Sequence, residues 1–128
     1  MSKPLSYLRV FADKTGESHA EWLDLQMSTK AFAPPAPPLD VSDPAKASTV
    51  TMLRLAPDWH GEWHPTPAKQ WLFFLRGEAN VQVSDGTSCS LHTGSIVLLE
   101  DTTGKGHQTT VRGADVVITA SVQVPVPE

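Results

Sequence analysis

The sequence predicts an all-β barrel or jelly roll, and three observations carry that prediction. Dense β-forming runs fill the chain after residue 48, glycine turns separate them at short and regular intervals, and a proline-rich stretch ahead of them excludes both helix and central strand. Taken from the start, Tyr7 to Ala12 and Trp22 to Met27 are short aromatic and aliphatic runs of strand character, joined through a turn-like Asp13 to Glu17. Ala20 to Gln26 reads equally as strand or as one or two helical turns, because so few residues show no decisive period. From Ala31 to Pro44 the chain holds five of its 11 prolines, which fix φ and remove backbone donors, so an extended arm over the surface is expected.

Strands are then expected at Thr49 to Leu55, Trp71 to Arg76, Ala79 to Ser84, Ser88 to His92, Ile96 to Leu99, His107 to Val111 and Asp115 to Val124. Their connectors carry Gly77, Asp85-Gly86, Thr93-Gly94 and Arg112-Gly113, and Asp85-Gly86 between alternating runs is the strongest hairpin signal. The expected organisation is one structural domain, with residues 1–47 as N-terminal strands and arm and 48–128 as the barrel.

At 128 residues the chain has length for one domain with a real core. Its 40% hydrophobic and 19% charged residues, with no apolar run of about 20, imply a soluble globular chain and no membrane partner. The opening MSKPLSYLRVF has no apolar core of signal-peptide length, so a cytoplasmic address is expected. A formal charge of −4, with no lysine or arginine cluster, argues against nucleic acid. The lone Cys89 cannot form an internal disulfide and reads as buried filler in a strand.

The chemistry concentrates in Asp58 to Gly77, DWHGEWHPTPAKQWLFFLRG, which holds two of the five histidines, three of the four tryptophans and Glu62. An extended backbone from His60 to Thr66 would set His60, Glu62, His64 and Thr66 on one face. If the next strand begins with an inward side chain, Gln70, Leu72 and Phe74 line the interior while Trp71, Phe73 and Leu75 face out.

These residues resemble the first motif of the cupin superfamily: glycine, five residues, H-x-H, three or four residues, E, six residues, G. His64, Gln70 and Gly77 keep the spacing, but Thr66 stands for the second histidine, Gln70 for the glutamate and Asp58 for the leading glycine. Gly94 to Val111, GSIVLLEDTTGKGHQTTV, resembles the second motif through Gly94, Gly104 and His107. Glu100 replaces its proline, Val111 its asparagine, and the intervening loop is two residues longer. The resemblance spans roughly Thr49 to Val124 and implies a double-stranded β-helix (jelly-roll) barrel with a central cavity, preceded here by the N-terminal extended arm. It also implies a divalent metal in many members, and a homodimer.

Carried over residue by residue, the resemblance leaves His64, Gln70 and His107 as candidate catalytic and metal-binding groups, with Glu62 or His60 as the missing ligand. The metal would be one iron, zinc, manganese or nickel ion, and a metal-free hydrogen-bonded pocket stands beside it as an equal reading. Candidate substrate contacts are His60, Glu62, Trp59, Arg54, Leu72 and Phe74. His19 and His92 receive no role, and Lys105 reads as a turn residue.

Three functions follow for a partner that is a small organic molecule. The first is proton-transfer chemistry by an isomerase, cyclase, dehydratase or lyase, with His64 or His107 as general base and Gln70 polarising a carbonyl. The second is a non-haem iron dioxygenase, and the third is a non-catalytic binding module.

Overall fold

In a computed structural model, residues 4–126 are described. The first three residues read for a leader and the last two of the barrel segment lie outside them. Eleven strands occur among the described residues: β1 (Ser6–Ala12), β2 (Ser18–Asp24), β3 (Met27–Lys30), β4 (Leu39–Ser42), β5 (Thr49–Leu55), β6 (Gln70–Arg76), β7 (Glu78–Val83), β8 (Ser88–Leu91), β9 (Ile96–Leu99), β10 (His107–Arg112) and β11 (Val117–Gln123). No helix long and apolar enough to cross a membrane occurs among the described residues.

A six-stranded sheet in the order β2-β1-β9-β6-β11-β5 packs against a three-stranded sheet in the order β10-β7-β8. The alternation seen in the sequence explains the packing, because strands such as β1 and β7 turn one apolar face inward. Leu8, Val10, Val97 and Val117 from the larger sheet meet Val81, Val83, Leu91 and Val111 from the smaller one in a single buried cluster. Each such side chain contributes about 1.5–3 kcal/mol relative to exposure.

The N-terminal strands are part of this barrel. β1 runs parallel to β9, with Leu8 opposite Val97 and Val10 opposite Leu99, so residues 6–24 share a sheet with the segment after residue 48. Ala20 to Gln26 resolves toward strand: β2 pairs with β1 along its whole length and begins at Ser18, ahead of the expected Trp22.

The arm differs in form from the expected single extended chain. Pro34, Pro35, Pro37 and Pro38 all fall in a loop between β3 and β4, and the proline-free runs on either side pair with each other as an antiparallel hairpin. That hairpin joins neither larger sheet. Beyond it, Asp43 to Ala47 border an outer groove shared with Trp71, Phe73 and Ile96. Trp71 stands edge-on to Tyr7 at 5.2 Å and stacks with Phe73 at 6.4 Å, which gives the outward aromatic set expected from the alternation intramolecular neighbours.

One side-chain clamp ties the two sheets at their rim. His19 on β2 bonds Asp13 through Nε2 at 2.7 Å and Asp85 in the β7–β8 turn through Nδ1 at 2.8 Å. The bonds to Asp13 and then Asp85 raise the histidine above its ordinary value. The Asp13 carboxyl is lowered, first by His19 and then by Thr15, and Asp85 is lowered mainly by Thr87.

A raised histidine stabilises the fold below its unfolded value of about 6.5, and that contribution is lost as pH climbs through the folded value. The lowered carboxylates contribute above about 3.9 and lose their effect as pH falls. His19→Ala is therefore expected to lower the melting temperature more at pH 5.5 than at pH 8.5. Equal losses at the two pH values would show that the clamp carries no charge.

Candidate functional site

A cavity of about 340 Å³ opens between the two sheets. Period-2 alternation along β6 sends Gln70, Leu72 and Phe74 into it, as the sequence predicts, while Leu75 is exposed on the outer face. On β11 the same rule turns Thr119, Ser121 and Gln123 inward. Val81 and Leu91 of the smaller sheet and Val97 of β9 add apolar wall.

His64 and His107 meet at one end of this cavity. An isolated antiparallel bridge pairs them, with His64 N–H donating to His107 C=O at 3.1 Å and His107 N–H to His64 C=O at 3.0 Å. Their ring centroids lie 5.0 Å apart. Gly106 permits the approach: its φ is +74°, and a Cβ built there would collide with the carbonyl carbon and oxygen of His64. Only glycine accommodates both the left-handed backbone and that contact.

Each ring is held through Nδ1, the buried His107 by a carboxylate and the exposed His64 by a backbone carbonyl. His107 Nδ1 lies 2.6 Å from Asp101 Oδ2, and the Thr66 hydroxyl donates to Asp101 Oδ1 at 2.7 Å. Asp101 is 0% exposed, Thr66 2% and His107 5%, so the network is sealed from bulk water. A carboxylate that accepts from both neighbours satisfies the whole network and puts a proton on His107 Nδ1, so that the neutral ring carries its lone pair on Nε2.

His64 Nδ1 lies 2.7 Å from the Glu62 backbone carbonyl, which can only accept, so its neutral ring has the same tautomer. Among the described residues neither Nε2 has a hydrogen-bond partner, and none of their buried side-chain nitrogens is sealed without one. Both side chains line the cavity, His107 from a buried position and His64 from an exposed one.

Gln70 is held at both ends of its amide, donating to the Ala68 carbonyl at 3.1 Å and accepting a short hydrogen bond from the Ser121 hydroxyl. Glu100, next to Asp101, ties the turn ahead of Gln70 to β1 by pairing with Lys69 at 3.0 Å and Arg9 at 2.6 Å. Burial pushes the Glu100 carboxyl up, but the bonds from Arg9 and Lys69 outweigh it and the net shift is downward.

Of the other expected site residues, Trp59 lines the cavity, and its ring lies over Gly61. His60, Glu62 and Arg54 do not line it. His60 bridges to Thr110 and His64 to His107, so four steps along one segment oppose three along β10. That extra residue is a bulge, and it puts His60 on the opposite face from His64, bonded to Thr110 Oγ1 at 2.9 Å. The Glu62 side chain is exposed. Arg54 is exposed and alternates with the inward Leu53 and Leu55.

Residues not anticipated from the sequence are Asp101, Thr66 in its bonded role, Thr119 and Ser121. The polar members of VITASVQ at every second position signalled an inward polar face, but the same pattern also fits a solvated one.

The cupin domain of Schizosaccharomyces pombe Cnp3 matches 98% of this chain and 86% of its own at a TM-score of 0.51 and 9% identity. The chain has the cupin fold. Protein NMB1881 from Neisseria meningitidis matches 59% of this chain and 72% of its own, at a TM-score of 0.44 and 18% identity. No family model and no curated protein matches the sequence.

Within the cupin frame the altered motif positions have physical counterparts. Asp58, in place of the leading glycine, has φ +67°, the left-handed region that glycine favours and aspartate tolerates. Thr66, in place of the second histidine, spends its hydroxyl on Asp101.

The metal that many cupins carry would find two neutral imidazoles and an amide oxygen already engaged by Ser121. Among the described residues no cluster of three or more histidine, cysteine or acidic side chains is assembled. This donor set, without a carboxylate facing the imidazoles, fits a resident divalent ion poorly.

Proposed function

We propose that the cavity binds a small organic carbonyl compound and that His107 moves a proton on it, in the manner of an isomerase, cyclase, dehydratase or lyase. The observation that supports this reading is the sealed Asp101–His107 pair beside His64. It fixes the His107 ring and, in its neutral form, leaves Nε2 to accept a proton on a side chain that lines the cavity. Nε2 takes a proton from the carbon beside the carbonyl, the C–H electron pair moves into the enolate, and the Gln70 amide hydrogen not used by Ala68 donates to the oxygen.

Incubation with benzylacetone and other neutral ketones in D2O, followed by proton NMR, tests it. Exchange beside the carbonyl is expected with the natural chain and is expected to fall about 100-fold or more in His107→Gln. Binding without exchange for every ketone would instead favour a non-catalytic binding module, the reading that the largely apolar wall supports. A non-haem iron oxygenase draws less support, because its set of two histidines and a carboxylate lacks the carboxylate once Glu62 is turned out.

A homodimer belongs to the same proposal. β5 is an edge strand of the larger sheet and exposes Val50 and Met52 at 67% and 58%. Light scattering is expected to give twice the 13.9 kDa chain mass, and a mass of one chain would overturn it.

A further inference from the structure

We infer that the cavity selects an uncharged ligand with an apolar body and a single polar end. The inference rests on reading the cavity as a ligand site and adds the chemical class that the site accepts.

Among the described residues its lining contains no aspartate, glutamate, lysine or arginine. The acidic group nearest the histidines, Asp101, has both oxygens occupied and is fully buried behind Thr66 and His107. The cations are directed elsewhere. Arg9 pairs with Glu21 and Glu100, Lys69 pairs with Glu100, Arg76 pairs with Asp115 at 2.9 Å, and Arg54 alternates out of the lining. A carboxylate, phosphate or ammonium entering the cavity would therefore lose water and gain no formal countercharge from a fixed ion, a cost of several kcal/mol.

The polar groups are also segregated. β6 runs from Gln70 at one end of the cavity to Phe74 about 13 Å away, at ~3.3 Å per residue. Leu99 lies opposite Gln70, and Asp101 two residues further on holds His107, so the amide and the imidazoles share that end. Toward Phe74 the wall becomes Val81, Leu91 and Val97, relieved by Thr119 and by Thr109, the cross-strand partner of Val81. One carbonyl or hydroxyl at the histidine end and a hydrocarbon or aromatic remainder match this gradient. A cavity of about 340 Å³ sits at the small end of ligand sites and limits that remainder to about one ring.

Three probes of nearly equal size separate the classes: benzylacetone, hydrocinnamate and phenylpropylamine. They are titrated into the full chain at pH 8, above the ordinary imidazole range, while the methyl resonances of Leu72 and Val97 are followed by NMR. Benzylacetone is expected to shift both residues saturably and to bind at least about 10-fold more tightly than either ion. Equal or tighter binding of hydrocinnamate or phenylpropylamine would overturn the inference, and so would saturation by none of the three. Because binding is read without turnover, benzylacetone that binds selectively but exchanges no hydrogen would refute proton transfer and leave the ligand class standing. Exchange on benzylacetone accompanied by tighter hydrocinnamate binding would do the reverse.

Discussion

Gln70→Glu is expected to raise the affinity of the cavity for zinc by about 10-fold or more, about 1.4 kcal/mol. Gln70, His64 and His107 all line the cavity, and two imidazoles leave Nε2 free of protein partners. What the natural donor set lacks is an anionic oxygen. Glutamate supplies it at nearly constant shape, and the Ser121 hydroxyl that now donates to the amide oxygen can donate to a carboxylate oxygen instead. His64→Ala in the same background is expected to abolish the gain, because one imidazole and one carboxylate no longer chelate. Calorimetric titration of the natural chain, the single variant and the double variant decides it. Equal zinc affinities for the natural chain and the Gln70→Glu variant would show that this side chain does not reach the imidazoles.

Asp101→Ala is expected to cost about 2–6 kcal/mol of folding stability, about 1–3 kcal/mol for each buried donor left without its acceptor. Two donors, the Thr66 hydroxyl and His107 Nδ1–H, would be left without an acceptor in a region sealed from water. Asp101→Asn keeps the volume but offers only one acceptor to the two donors. It is expected to lose less stability and to move the His107 proton toward Nε2, where it no longer suits a general base. Urea titration measures the first effect and the imidazole nitrogen shifts the second. A loss under about 1 kcal/mol for Asp101→Ala, with an unchanged His107 tautomer in Asp101→Asn, would remove Asp101 from the site.

The parts of the molecule legible in the sequence are those governed by strict alternation. Gln70, Leu72 and Phe74 face in because β6 keeps an unbroken register from Gln70 to Phe74, ahead of the irregularity at Leu75, and one inward assignment fixes the rest. The same rule fails from His60 to His64, where a single bulged residue inverts the face, and nothing local to HGEWH announces which residue is extra. Asp101 was hidden for another reason. Its partners lie 35 and six residues away, so its role exists only once the fold closes. The prolines correctly excluded a central strand but not an edge hairpin, because they crowd into its loop and leave β3 and β4 their donors.

The β3–β4 hairpin has a practical use for anyone wishing to build on this scaffold. It pairs only with itself, nearly all of its residues face water, and its loop is far in sequence from every residue that holds the two histidines. Loop tips of this kind accept inserted chain, since closing a longer loop costs only about 0.6 kcal/mol per doubling of its length. The Pro34 to Pro38 loop is therefore the natural graft point for an affinity peptide or a second module.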